Sequence, residues 1–236
     1  MLKDILFMLV LFAANTVQTI TGFAGSLLAM PPSFLLEGYE TSKTVLNIFT
    51  LAACAWIAYE NRKFIQWTVL VKMLSFMLLG MAFGITVLGR LNLNILLYAY
   101  GAMILLVALQ NLFLKKEPDL PKWAQYLALF LGGIFHGLFI SGGALLVLYA
   151  VKALPEKEKF RATVAPVWVV LDTVLIYQHA VSGYYTARNL FLIAFSMVPM
   201  VLSIIIGNRI YYRINQQTFR KITYVLVLIA GIMIFV

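Results

Sequence analysis

Few side chains in this sequence could do chemistry, and their rarity makes them informative. Inside its long apolar stretches the ionisable residues are Lys72, His136, Asp172 and, near the end of one stretch, His179. In hydrocarbon such groups are expensive, and they normally face the protein interior or water. His136 can donate to an anion and carry a proton. It can equally sit neutral against a helix backbone, and the sequence leaves both readings open. Asp172 has the wrong sign to hold an anion, so it reads as a proton-coupling or helix-pairing group. Lys72 lies one turn inside its stretch, where it can snorkel to the interface.

His136 opens one of two similar motifs. The first is Gln18-Thr19-Ile-Thr21-Gly22-Phe-Ala-Gly25-Ser26-Leu-Leu, followed by Pro31-Pro32; the second is His136-Gly-Leu-Phe-Ile-Ser141-Gly142-Gly143-Ala-Leu-Leu. Thr19, Thr21, Ser26 and Ser141 offer hydroxyls, and Gly22, Gly25, Gly142 and Gly143 leave backbone N–H groups accessible. Half-helices starting after the two motifs would aim positive dipole ends at one point, which suits an anion. Asn47 and Thr163 open the stretches that follow and could close such a site from the side. The candidate substrate-binding set is therefore Gln18, Thr19, Thr21, Gly22, Gly25, Ser26, Asn47, His136, Ser141, Gly142, Gly143 and Thr163. His136 and Asp172 are the candidates for proton coupling. Against this stands the ordinary habit of membrane hydroxyls, which bond their own helix backbone. Catalysis has no foothold here: the sequence lacks His-Glu-x-x-His, Gly-x-x-x-x-Gly-Lys and any coherent Ser/His/Asp arrangement. The reading calls for no metal and no cofactor, and it is not that of an enzyme.

Each motif interrupts an apolar run of 32 residues, 5–36 and 123–154. A straight helix of that length would measure about 48 Å, too long for one crossing of a ~30 Å hydrocarbon core. Two crossings would need about 40 residues. The glycines and hydroxyls at mid-run thus predict a helix that enters, breaks and turns. Broken backbone at that depth is tolerated only inside protein or along a cavity. Paired breaks in matching positions point to a transporter's binding site.

Composition agrees. Hydrophobic residues make up 63% of the chain and charged residues 11%, with a mean hydropathy of +0.94. No soluble domain of 236 residues buries that much apolar surface. The expected class is an all-α, polytopic membrane protein in the cell membrane. The net charge of +9 lies largely in short connections, so it speaks for lipid headgroups rather than nucleic acid. The single cysteine, Cys54, excludes an internal disulfide. Further spans are expected at about 44–59, 67–88, 93–114, 162–179, 188–208 and 219–236. Trp67, Trp123, Tyr126, Tyr184, Tyr185, Tyr211 and Tyr212 suit interfacial anchoring. Gly80-x-x-x-Gly84 suits close helix packing, and Pro199 suits a kink.

Sliding the sequence by 118 residues places Gly25 on Gly143, Lys43 on Arg161, Tyr59 on Tyr177 and Gly89 on Gly207. Two homologous membrane repeats are expected, 1–114 and 123–236, joined by the polar connector 115–122. If each broken run is a re-entrant hairpin, the basic loop residues divide thirteen against four between the two faces. If each run crosses, they divide ten against seven. The positive-inside rule favours the hairpin. Each repeat then makes three net crossings, the second repeat is inverted, and both termini are non-cytoplasmic.

At the two motifs the sequence resembles the TauE/SafE family, sulfite and sulfonate exporter-like permeases also called the toluene-sulfonate-uptake-permease family. Gln18-Thr-x-Thr-Gly-Phe-x-Gly with Ala29-Met-Pro31 is similar to the family's first glycine motif. His136-Gly-Leu-Phe-x-Ser-Gly-Gly is similar to the second, and Leu154-Pro155 with Arg161-Ala-Thr163 to the segment after it. Both motifs depart from the glycine-richest form: Ala24 and Ser26 flank Gly25, and Ile140 and Ser141 precede Gly142. The resemblance implies secondary transport, usually outward, of small sulfur oxyanions or organosulfur anions.

The partners so implied are a small anionic substrate and the lipid bilayer; oligomeric state is left open. The sequence reading is a secondary transporter of sulfite, a sulfonate or a related carboxylate, working by alternating access. The alternatives are a permease for another small solute, such as an amino acid or a cation, and a non-transporting scaffold or assembly factor. Topology offers a direct check. A reporter active only after export, fused behind Val236, is expected to be active, and a cytoplasm-only fluorescent reporter there dark. The reverse would overturn the hairpin reading.

Overall fold

The structure, a computed structural model, describes residues 2–86 and 120–233 together with 98, 101, 102 and 105. The described residues are all-α. Long unbroken apolar sequence has no other way to pair its backbone away from water. The helices are α1 (Leu2–Thr21), α2 (Gly25–Glu37), α3 (Tyr39–Glu60), α4 (Trp67–Thr86), α5 (Lys122–Phe139), α6 (Gly143–Ala153), α7 (Lys157–Val181), α8 (Ala187–Phe195), α9 (Met197–Arg213) and α10 (Gln216–Met233). Among the described residues α1, α3, α4 and α7 are each long and apolar enough to cross a membrane. A fifth such span is α8 with α9, which meet at a 42° bend. That bend falls at Ser196, three residues before Pro199, so the proline sits in the first turn of α9, where its missing N–H does least harm. The expected span 93–114, apart from residues 98, 101, 102 and 105, the connector up to residue 119 and Gly89 lie outside the described residues.

Both breaks fall where the glycine motifs put them, between α1 and α2 and between α5 and α6. At each the chain reverses. A methyl group on Gly25 would lie 2.6 Å from the Ala14 carbonyl oxygen, so α2 starts back along α1. One on Gly142 would lie 2.2 Å from the Gly132 carbonyl oxygen, so α6 starts back along α5. Locally both are hairpins.

At the centre α3 packs on α7. Asn47 reaches the Asp172 carbonyl, and further along α3's direction the Gln66 N–H reaches the Thr163 hydroxyl. Numbers rise on one side as they fall on the other, so the two helices run antiparallel. Around this pair α4 packs on α5 and α1 on α9. Gly80 and Gly84 of α4 do receive a helix: methyl groups there would strike the Phe130 and Ile134 backbones of α5. Gly207 of α9 is equally tight against Thr19 of α1.

Two expectations are corrected. Tyr211 is not an interfacial anchor; it is 1% exposed, enclosed by Phe219, Tyr212 and Arg161. Lys43 and Arg161, which the count of thirteen against four includes among the basic loop residues, are not loop residues; both are buried in helices, α3 and α7. Each lies within its helix's first two turns, where a rule based on loop ends cannot tell inward from outward. Without them the hairpin division becomes twelve against three, so the bias persists. Trp67, Trp123, Tyr212 and Lys72 are exposed, whereas Tyr126, Tyr184 and Tyr185 are half-buried.

Candidate functional site

The site is built from how two helices end. α1 stops at Thr21 because Gly22 turns left-handed, φ +84°, with its N–H on the Gln18 carbonyl at 2.7 Å. α5 stops at Phe139 because Ile140 turns left-handed, φ 53°, with its N–H on the His136 carbonyl at 2.8 Å. These are left-handed helix C-caps, and they stand 118 positions apart. Glycine takes that conformation freely; a β-branched isoleucine stores about 1–3 kcal/mol of strain there.

After the first break, the N-terminus of α2 is served by its own chain. Gln18 Oε1 accepts the Gly25 N–H at 2.7 Å, and the Thr21 hydroxyl accepts from Ala24 and Phe23. Gln18 also donates to Cys54 Sγ at 3.1 Å. The positions 118 further on hold His136 and Asp172, and these too are partners: His136 Nε2 lies 3.0 Å from Asp172 Oδ1, both buried. The His136 ring leans on Trp168 at 4.9 Å, and the Trp168 indole donates to the Gly22 carbonyl at 2.8 Å. The second motif is thereby tied to the first.

A buried cation covers each helix end. Arg161 Nε donates to the Thr19 carbonyl of α1 at 2.8 Å, and Lys43 Nζ donates to the Gly137 carbonyl of α5 at 2.8 Å. Lys43 and Arg161 are 118 apart, and so are Thr19 and Gly137. Tyr39 adds its hydroxyl to the Leu138 carbonyl beside Lys43. Each cation thus satisfies a carbonyl of a broken helix from the other part of the chain, where the negative dipole end also attracts it. Neither cation has a carboxylate within ion-pair distance among the described residues.

The breaks themselves touch. A methyl on Gly143 would lie 2.8 Å from the Phe23 carbonyl oxygen and 2.9 Å from the Phe23 ring. Gly143 and Gly25 are therefore demanded first by close approach of backbone and neighbour. Ser26 and Gly25 line a narrow crevice with Leu11, Gln18, Leu46 and Thr50. Asn47 joins the centre through the Asp172 carbonyl, and its Oδ1 and Asp172 Oδ2 are buried without partners among the described residues. Thr19 and Thr21 bond their own helix, to the Asn15 and Val17 carbonyls. Ser141 and Gly142 lie buried in the second break. Thr163 is not brought to Asn47; it faces Gln66, past the end of α3. The residues of both breaks are buried, with Tyr39 and Gln66 half-buried at the margin, so the breaks are closed to solvent in this conformation.

The candidate set lacked four residues: Lys43, Cys54, Arg161 and Trp168. The offset of 118 did align Lys43 with Arg161, and that was the available signal. Trp168 and Cys54 gave none, because their partners are distant in sequence.

A family model described as Sulfite exporter TauE/SafE matches residues 6–234. Among curated proteins the chain is 23% identical, over 175 residues and 73% of each chain, to "Probable inner membrane transporter protein TsaS" of Comamonas testosteroni. No solved structure matches.

The His136–Asp172 pair is testable by itself. His136→Ala strands a buried carboxylate oxygen, which costs about 1–3 kcal/mol and should lower the melting temperature of the purified protein. Adding Asp172→Leu should recover part of that loss, because no buried acid is then left unpaired. A second, additive loss would mean that the two side chains do not interact.

Proposed function

The chain belongs to the sulfite exporter TauE/SafE family of membrane transporters, and on that premise we propose that it is a secondary exporter of a small sulfur oxyanion or sulfonate. It is not an enzyme. Sulfite, a sulfonate or a related organosulfur or carboxylate anion is the cargo, and the paired breaks are its passage through the membrane. The observation that carries this reading is the meeting of two left-handed breaks at Phe23 and Gly143, each with a buried cation over its helix end. Interior positive charge without an acid partner favours an anionic cargo and disfavours a cationic one. A scaffold would need no broken backbone in a hydrocarbon environment.

The mechanism we infer is alternating access between two repeats, 1–114 and 123–236, about the breaks. Support comes from equivalent pairs at the offset of 118: Gly22 with Ile140, Gln18–Cys54 with His136–Asp172, and Arg161–Thr19 with Lys43–Gly137. Contacts exchanged reciprocally in this way are those of a two-fold relation. The equivalent helices α3 and α7 run antiparallel and have span length. A two-fold relating them lies across both helices, hence in the membrane plane, and the repeats are inverted. Arg161 and Lys43 then lie toward opposite faces, one closing the cytoplasmic side and the other the outer side.

His136 and Asp172 supply the only buried acid–base pair among the described residues of this centre. Proton coupling is assigned to them; Gln18 and Cys54, at the corresponding positions, leave the first repeat without such a pair.

Flux in liposomes tests the reading. Purified protein should move sulfite or methanesulfonate down an imposed gradient, and the flux of methanesulfonate, whose own charge does not change near neutral pH, should depend on pH. His136→Gln should flatten that dependence while flux persists. Movement of amino acids or cations with no movement of sulfur oxyanions would refute the cargo, and an unchanged pH profile in His136→Gln would refute the coupling.

A further inference from the structure

Arg161 is fully buried, yet only part of its guanidinium is used. Nε bonds the Thr19 carbonyl, and one terminal nitrogen, Nη2, bonds Asn208 Oδ1 at 2.7 Å. The other terminal nitrogen, Nη1, is buried and has no partner among the described residues. Five N–H groups radiate from a guanidinium in a fixed plane, so an idle nitrogen cannot be turned outward without breaking the other two contacts. Tyr211 lies beneath that plane, 4.0 Å from ring centre to guanidinium carbon, and its buried hydroxyl, electrostatically coupled to the guanidinium, makes no hydrogen bond of ordinary geometry among the described residues. Two incompletely bonded polar groups therefore belong to one stacked pair.

Charge makes the same point. Asn208 gives its amide to both carboxylate oxygens of Glu60, at 2.9 and 2.8 Å, and so stands between the exposed acid and the buried cation. Asn208 also lines an open cleft with Trp56, Ile204, Ile205, Arg209 and Tyr212. On the inner side, Gly22 packs against Arg161; a methyl on that glycine would lie 3.5 Å from Arg161 Cγ. A charge that is buried, unneutralised and incompletely bonded calls for an anion that brings its own oxygens.

We propose that Arg161 and Tyr211 form an oxyanion subsite, in which the idle guanidinium nitrogen and the tyrosine hydroxyl hold oxygens of the transported sulfite or sulfonate. The inference rests on the transport reading and names the residues that give it charge selectivity. Arg161 binds the anion at the first break while its Nε keeps the end of α1 closed. Planarity matters: a lysine would retain the charge and lose the fork that addresses carbonyl, amide and anion together.

Thermal stabilisation of purified protein by methanesulfonate and by sulfite gives an apparent Kd for each. Tyr211→Phe keeps the stacked ring and deletes the hydroxyl alone; it should stay monodisperse and weaken both anions by about ten-fold. Arg161→Lys should weaken them further, with loss of discrimination between sulfonate and chloride. Wild-type affinity in Tyr211→Phe overturns the subsite and leaves the transport reading standing, even if Arg161→Lys fails to fold. Wild-type protein that neither anion stabilises, and that moves neither in liposomes, overturns both.

Discussion

Two helices end inside this protein's apolar interior, and the buried cations placed over those ends are the interaction on which the rest depends. A helix that stops away from water leaves up to four carbonyls without intrahelical partners. In hydrocarbon no solvent takes their place. Arg161 answers for the Thr19 carbonyl and Lys43 for the Gly137 carbonyl. Each cation comes from a helix in the other part of the chain, so satisfying the backbone and holding the molecule together are one act. The glycines follow from this. Gly143 must let Phe23 approach, and Gly207 must let α9 settle against Thr19, or the ends would not come within reach.

The same arrangement suits movement. A latch made of one cation and one carbonyl is strong enough to define a closed state and small enough to release. We read the two latches as gates toward opposite faces, with the touching breaks between them. The equivalence is not complete, and its lapses are informative. Gln18 and Cys54 form a neutral pair where His136 and Asp172 form an acid–base pair. Thr50 stands where the other helix has Trp168, whose indole crosses to the Gly22 carbonyl. Equivalent contacts with unlike chemistry on their two sides are what the directional, proton-coupled carrier we propose would require.

The positions of the breaks were legible in the sequence because glycine and hydroxyl residues punctuate runs that are otherwise apolar, and the register of 118 was legible from Gly25, Gly143, Lys43 and Arg161. Pairings across the molecule were not. His136 and Asp172 are separated by 36 residues and meet only because the His136 side chain reaches across from α5 to α7. Lys43 and Arg161 were misassigned because basic residues near helix starts usually belong to loops, and nothing local tells a buried one from a solvated one. Thr163 was grouped with Asn47 as an early residue of its span, but its hydroxyl accepts the Gln66 N–H, nine residues along α7 from the Asp172 carbonyl that Asn47 reaches.

Cys54 allows the central claim to be tested without adding a probe. It is the protein's single cysteine, fully buried and bonded to Gln18 beside the first break. If the breaks line the passage, Cys54 should resist a small water-soluble thiol reagent in the closed state. It should react in membranes during turnover and be protected by saturating methanesulfonate. A thiol that stays unreactive throughout measured transport would place the passage elsewhere and contradict the account.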